Sequence, residues 1–219
     1  MGSMISLTAA DGHTLDAYVA PARGAVRGGV VVIQEIFGVN SHIQGVVDQY
    51  AAAGYMSIAP ALFDRVKRGV TLPYTDIAAG IDYIQKLKDD QTLLDLKAAI
   101  DHVKPAGKVG VVGYCWGGTL SYLAAARLDI AGAVSYYGGF IPNYLNEKLR
   151  VPVLFHFGER DEHIPMSTVD KIKAAHPQQT YHIYPADHGF NCGDRSSYDA
   201  ASAKLAFDRS IAYFHKQLG

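Results

Sequence analysis

Two hydrophobic rhythms alternate along this chain almost to its end. Six short runs are apolar nearly without interruption: residues 29–34 (GVVVIQ), 55–59 (YMSIA), 108–113 (KVGVVG), 131–136 (AGAVSY), 151–157 (VPVLFHF) and 180–184 (TYHIY). A strand wetted on one face alternates apolar and polar residues, whereas a strand covered on both faces stays apolar throughout. The stretches between these runs follow the helical period instead. Leu93, Leu96, Ile100 and Val103 form one apolar stripe, and Phe207, Ile211, Phe214 and Leu218 form another; both read as core-facing helix faces. Strand–helix alternation of this kind predicts a mostly parallel central sheet with helices on both faces. Residues 5–8 and 13–20, joined by Asp11-Gly12, predict an antiparallel hairpin at the N-terminal edge of that sheet.

No repeat, low-complexity tract or Pro/Ser-rich linker divides the sequence, so residues 4–219 read as a single α/β domain. Met1-Gly2-Ser3, ahead of a second methionine, read as a remnant of cloning. The 219 residues suffice for a substantial core. Twenty Lys and Arg against twenty-one Asp and Glu leave a formal charge of −1, which argues against a nucleic-acid partner. No apolar stretch spans a bilayer and no secretory leader opens the chain, so a soluble cytoplasmic protein is expected. Two cysteines, Cys115 and Cys192, are too few for a disulfide framework or a four-thiolate zinc site, and they suit a reducing compartment.

The strongest chemical signal is Gly113-Tyr114-Cys115-Trp116-Gly117-Gly118, which follows one apolar strand directly and opens into a helical stretch. A residue pinched between strand and helix projects above the sheet beside the positive helix N-terminus. This is the nucleophile turn of G-x-S-x-G hydrolases with Cys in the place of Ser, and a thiolate is favoured there. A nucleophile needs a base and the base an orienting acid, each at its own strand end in the order nucleophile, acid, base. Asp161, in the loop after strand 151–157, reads as the acid, and His188, in the loop after strand 180–184, as the base. Glu159, Glu162 and His163 are their local rivals. The loop QEIFGVN at 34–40 follows the strand at 29–34; with the residue after the nucleophile it would supply the oxyanion hole, from the backbone N–H groups of Ile36 and Trp116. Glu35, a carboxylate ending an apolar strand, faces the same strand-end cleft. No histidine pair has the i, i+4 helical spacing of a zinc site, so no metal and no cofactor are expected.

These stretches resemble the dienelactone hydrolase (carboxymethylenebutenolidase) family of the α/β-hydrolase fold: QEIFGVN at 34–40, GYCWGG at 113–118, the loop at 158–165 and DHGF at 187–190. The resemblance covers nearly the whole chain from Ile5. It implies a triad of Cys115, His188 and Asp161. It also implies a Glu35 that contacts the thiol at rest and swings away when substrate binds, a negative neighbour that would keep the thiol protonated and protected. Characterised members cleave a five-membered enol lactone and hold its carboxylate with arginines. One of these lies four positions after the catalytic histidine, where this chain has Cys192, and residues 74–85 contain no arginine at all. Arg195, or the segment of Arg65, Lys67 and Arg68, is left to take over the anion. Phe37, Trp116 and Phe190 are expected to line the cleft.

The expected function is hydrolysis of a lactone or small carboxylic ester through a thioacyl-enzyme, with a dienelactone-type enol lactone as the first candidate. A general carboxylesterase or thioesterase is the alternative. A non-catalytic small-molecule binder and a thiol redox protein using Cys115 and Cys192 are readings from other classes. The partner is a small molecule, and the chain acts as a monomer or small homo-oligomer.

Overall fold

A computed structural model describes residues 2–219. Eight strands form one sheet in the order β1-β2-β4-β3-β5-β6-β7-β8. The strands are β1 (Ser3–Thr8), β2 (Thr14–Ala20), β3 (Gly29–Ile33), β4 (Met56–Pro60), β5 (Val109–Tyr114), β6 (Gly132–Tyr136), β7 (Val153–Gly158) and β8 (Thr180–Tyr184). Strands β3 to β8 pair in parallel, while β1 and β2 pair antiparallel to each other and β2 antiparallel to β4. The expected mostly parallel sheet with an antiparallel edge hairpin is therefore what forms. Every residue of β3, β5, β6 and β7 is buried, which is why their sequences read as unbroken apolar runs.

Some bounds differ for local reasons. β7 begins at Val153 rather than Val151, because Pro152 has no N–H to give to a ladder. β1 begins at Ser3, inside the three residues set apart from the sequence, and Ser3 pairs with Val19.

Six helices cover the sheet: α1 (Ser41–Ala52), α2 (Ile77–Gln85), α3 (Asp89–Val103), α4 (Trp116–Arg127), α5 (Met166–Ala175) and α6 (Ala200–Leu218). The chain leaves β3 toward β4 and then returns past β3 to β5. Right-handed crossovers therefore put α1 on one face and α3 and α4 on the other. Tyr50 of α1 packs against Phe207 and Phe214 of α6, so α6 shares the α1 face. The α3 stripe behaves as its period predicts, with Leu93, Leu96, Ile100 and Val103 all buried. The α6 stripe is displaced. Its buried seam runs Ala203, Ala206, Ser210, Phe214 and Leu218, with Phe207 and Ile211 only half-buried, because small residues let the helix lie close to the sheet.

The reversal of strand order between β4-β3 and β5 is where an open α/β sheet opens a crevice at its carboxyl edge. Glu35 follows β3 there and Cys115 follows β5. The passage from β5 into α4 is set by glycine. A Cβ on Gly113 would stand 1.8 Å from the carbonyl oxygen of Gly117, so the strand and the first turn of α4 touch backbone to backbone. Replacing Gly113 with Ala is expected to lower stability by about 3 kcal/mol, the upper end of ordinary overpacking, because neither backbone can yield. The midpoint of urea unfolding measures it.

Candidate active site

Cys115 sits between β5 and α4 with φ 54 and ψ −116, one of two non-glycine residues with positive φ among the described residues. Such a conformation costs about 1–3 kcal/mol and persists only when its surroundings over-determine it. Here the Cys115 N–H donates to the Tyr136 carbonyl at 3.0 Å, and its own carbonyl accepts from the Gly118 N–H at 2.9 Å. The side chain is left at the N-terminus of a helix whose residues Trp116 to Ala126 are all buried.

The two loops expected to supply acid and base meet at the carboxyl ends of β7 and β8. His188 Nδ1 lies 2.7 Å from Asp161 Oδ2. The other oxygen of Asp161 accepts the backbone N–H groups of His163 (2.9 Å) and Ile164 (3.0 Å), so the carboxylate is fixed by its own turn. Asp161 is buried, whereas its rivals Glu159 and Glu162 are exposed. His163, the rival base, stands edge-on to His188 with ring centroids 5.1 Å apart and belongs to the cleft wall. Burial pulls the His188 imidazole toward the neutral form, but negative charge on Cys115 and the Asp161 hydrogen bond outweigh it and hold the pKa up at about 10.

Cys115 and His188 line a cleft of ≈ 250 Å³. Its apolar wall is built by Ile36 and Phe37 after β3, Ile77 and Ile81 of α2, and Phe140 after β6. Ile77 and Phe140 stand 47% and 38% exposed, which leaves an apolar rim open to solvent. Neither the Ile36 nor the Trp116 backbone N–H donates to another group among the described residues, so both remain available at the strand ends where an oxyanion hole is expected. A larger hollow of ≈ 440 Å³ beside α1 is lined by neither Cys115 nor His188.

Several expected cleft residues lie elsewhere. Phe190 is fully buried and packs on Tyr137 and Tyr184, beneath the site rather than in it, because the turn at Gly189 (φ 78) sends the chain back into the core. The Trp116 ring is likewise turned away and stacks on Phe63. Arg65 and Arg68 do not reach the cleft. Arg65 bonds Asp95 at 2.6 Å and Asp11 at 2.8 Å, and Arg68 bonds Asp16, so both are consumed by acids near the hairpin. Arg195 is the cleft arginine. Its guanidinium lies 5.9 Å from the ring centres of both Phe37 and Tyr74, and its Nη1 is 3.7 Å from Glu35 Oε1.

Glu35 is fully buried and neither of its oxygens takes part in a hydrogen bond. The expected contact with the resting thiol is not made as a hydrogen bond, and Arg195 is the cation nearest it. Burial raises the Glu35 pKa against the opposing charges of Arg195 and His188. Cys192 is a free thiol, as is Cys115, and donates to the Tyr74 hydroxyl at 3.1 Å. Ligand atoms of Glu35, His42 and Cys192 lie within 4.8 Å of one another, a grouping that helical spacing cannot reveal because it is drawn from three separate segments. The cleft residues Ile77 and Ile81 also went unread. Their i, i+4 spacing behind Asp76, whose side chain accepts from the Ala79 N–H, is the signal that would have found them.

A model of the dienelactone hydrolase family matches residues 15–218. The chain belongs to the dienelactone hydrolase family. It is 37% identical to a Synechocystis sp. protein assigned as a carboxymethylenebutenolidase, over 86% of each chain. It is 33% identical to the carboxymethylenebutenolidase of Pseudomonas putida, over 95% of this chain and 94% of the relative. A crystal structure assigned as a dienelactone hydrolase of Klebsiella pneumoniae superposes with a TM-score of 0.84 at 32% identity, over 97% and 98% of the two chains. The fold is that of the α/β-hydrolases, and the family is one of ester and lactone hydrolases. No helix of the described residues is long and apolar enough to cross a membrane.

The balance at His188 makes a specific prediction for this family member. In Cys115→Ala the contribution of the sulfur is gone while burial and the Asp161 hydrogen bond remain, so the His188 pKa should fall from about 10. Imidazole NMR titration of the wild type and the variant checks it; an unchanged pKa would remove the thiolate as the cause.

Proposed function

We propose that the chain hydrolyses a lactone or small carboxylic ester, a dienelactone-type enol lactone first among them, with Cys115 as nucleophile, His188 as acid–base and Asp161 as its orienter. The observation that carries this reading is the 2.7 Å Asp161–His188 contact, opening into the cleft that also holds Cys115.

The Cys115 thiolate attacks the carbonyl carbon, and the charge that develops on oxygen is taken by the N–H groups of Ile36 and Trp116. Removing one preset donor of this kind costs roughly 3–4 kcal/mol of transition-state stabilisation. The tetrahedral intermediate collapses with cleavage of the C–O bond. His188 gives its proton to the departing oxygen, which stays tethered to the acyl group when the substrate is a ring. The product is a thioester on Cys115.

Acylation consumes the charge on sulfur, and with it the interaction that held the His188 proton. Burial, the largest single influence on this imidazole, then favours its neutral form. Neutral His188 takes a proton from water, the hydroxide adds to the thioester, and the acid product leaves with regeneration of the thiolate–imidazolium pair. Asp161 keeps Nδ1 protonated throughout, so that Nε2 faces the reaction.

The volume of ≈ 250 Å³ suits a substrate smaller than a drug-sized ligand. Apolar walls with Arg195 at one side suit an unsaturated ring bearing one carboxylate. A general carboxylesterase for neutral esters is the second reading, favoured by the exposed apolar rim of Ile77 and Phe140.

Cys115→Ala should abolish turnover of every ester, and His188→Ala should accumulate a covalent adduct whose mass equals the chain plus one acyl group. Intact-protein mass spectrometry reads the adduct, and its absence would remove the thioacyl step. Arg195→Gln separates the two substrate readings. A carboxylated lactone should lose roughly tenfold in kcat/KM, the loss of one charge-assisted hydrogen bond, while p-nitrophenyl acetate is unchanged. Equal effects on both favour the general esterase.

A further inference from the structure

Beneath the cleft, three segments bring together side chains that the proposed reaction does not need as a group. Glu35 follows β3, His42 lies in the first turn of α1, and Cys192 follows the His188 loop. We infer that Glu35, His42 and Cys192 form a binding site for a divalent transition metal of the zinc class.

The first observation is burial without hydrogen bonds. Both Glu35 oxygens and His42 Nε2 are buried and form no hydrogen bond, whereas buried polar atoms are normally paired. A carboxylate taken out of water is held only where cations or donors meet it. Arg195 Nη1 forms an ion pair with Glu35 Oε1 at 3.7 Å but is too far to donate a hydrogen bond, so the acceptor capacity of the carboxylate is unused.

The second is geometry. The three ligand atoms lie within 4.8 Å of one another. Tetrahedral ligands at zinc distances stand about 3.4 Å apart, so side-chain adjustments on the order of 1 Å complete the site.

The third is donor chemistry. One sulfur, one imidazole nitrogen and one carboxylate oxygen match zinc and its neighbours and exclude magnesium and calcium, which take oxygen ligands. The charges also match: a thiolate and a carboxylate neutralise a divalent ion, and the imidazole binds in its neutral form. Binding expels the Cys192 thiol proton to solvent. The Tyr74 oxygen, which now accepts from both the Cys192 thiol and Asn40 Nδ2, retains its own hydrogen to donate to the bound sulfur. Such a donor beside a metal ligand strengthens binding.

The fourth is access. His42 stands on the wall of the ≈ 440 Å³ hollow that opens to solvent beside α1. Asp194 lines the same hollow, and its charge reaches both His42 and Cys192. Lys204, also on that wall, pairs with Asp208 at 2.6 Å, which leaves Asp194 to attract a cation. None of Cys115, Asp161 and His188 belongs to the set, so metal binding can be read separately from the proposed triad, although Glu35 is shared with the expected control of the thiol.

Cobalt(II) titration of the reduced, chelator-treated full chain tests it. One equivalent should give the near-ultraviolet sulfur-to-cobalt charge-transfer band together with the intense visible bands of four-coordinate cobalt, and zinc should displace both. Cys115→Ser should retain the spectrum. Cys192→Ser should lose the charge-transfer band, and Tyr74→Phe should weaken binding about tenfold. Far-UV circular dichroism establishes that each variant is folded. A band that survives Cys192→Ser but disappears in Cys115→Ser would put the ion on the nucleophile and overturn the site. Absence of any sulfur band in the folded wild type at excess cobalt would overturn it as well.

Discussion

The backbone contact between Gly113 and Gly117 is the constraint from which the rest of the site follows. It holds the first turn of α4 against the end of β5, and the one residue between them, Cys115, is forced to φ 54. A strained residue needs something else to hold it, and α4 supplies this. The helix is buried on every side from Trp116 to Ala126, so its position is dictated by packing over its whole length rather than by one apolar stripe. Burying a single Leu-sized side chain contributes about 1.5–3 kcal/mol, so a few of these residues outweigh the strain at Cys115. The exposure of Cys115, the proposed nucleophile, is thus a by-product of a helix that has nowhere else to go.

The same sheet order that exposes Cys115 traps Glu35. β3 and β5 are neighbours at the point where the chain reverses direction across the sheet, so the residues that follow them share one crevice. A carboxylate there is drawn out of water, and no local hydrogen bond compensates it. Arg195 approaches from the loop beyond His188 and rests beside the rings of Phe37 and Tyr74, which pack on each other. An overall charge of −1 gives no hint of this local crowding of opposite charges. It arises from topology, which gathers the ends of distant strands.

Topology was also the most legible part of the chain. Continuous apolar runs identify β3, β5, β6 and β7 because those strands are buried on both faces, a condition visible residue by residue. Strand ends then place Cys115, Asp161 and His188 in one region, since a parallel sheet aligns its carboxyl ends. Side-chain direction in the loops was not legible. Phe190 lies two residues after His188 and yet points into the core, and Arg65 is consumed by Asp11 and Asp95 from elements far away in sequence. Both outcomes depend on packing against remote segments, which spacing does not encode. The α2 helix has a local signature, but Ile77 and Ile81 look like ordinary surface-helix residues until the cleft they cover is known.

The proposed reaction asks His188 for opposite protonation states in its two halves, and the electrostatics of the site supply both without any movement. A solvent-exposed imidazole would respond weakly to a neighbouring sulfur charge, because water screens it. Buried in the wall between Cys115 and Asp161, His188 feels that charge at short range and in a poor dielectric, which carries its pKa to about 10 while the charge is present. Neutralising the sulfur removes the interaction, and the burial that it opposed takes over. Asp161 does not perform this switching, because it stays in place through both halves and favours the protonated ring in each; its task is orientation, secured by the His163 and Ile164 N–H groups. The depth of His188 in the fold is therefore a functional quantity: a shallower imidazole would lose both the strong acid–base contrast and the water exclusion that produces it.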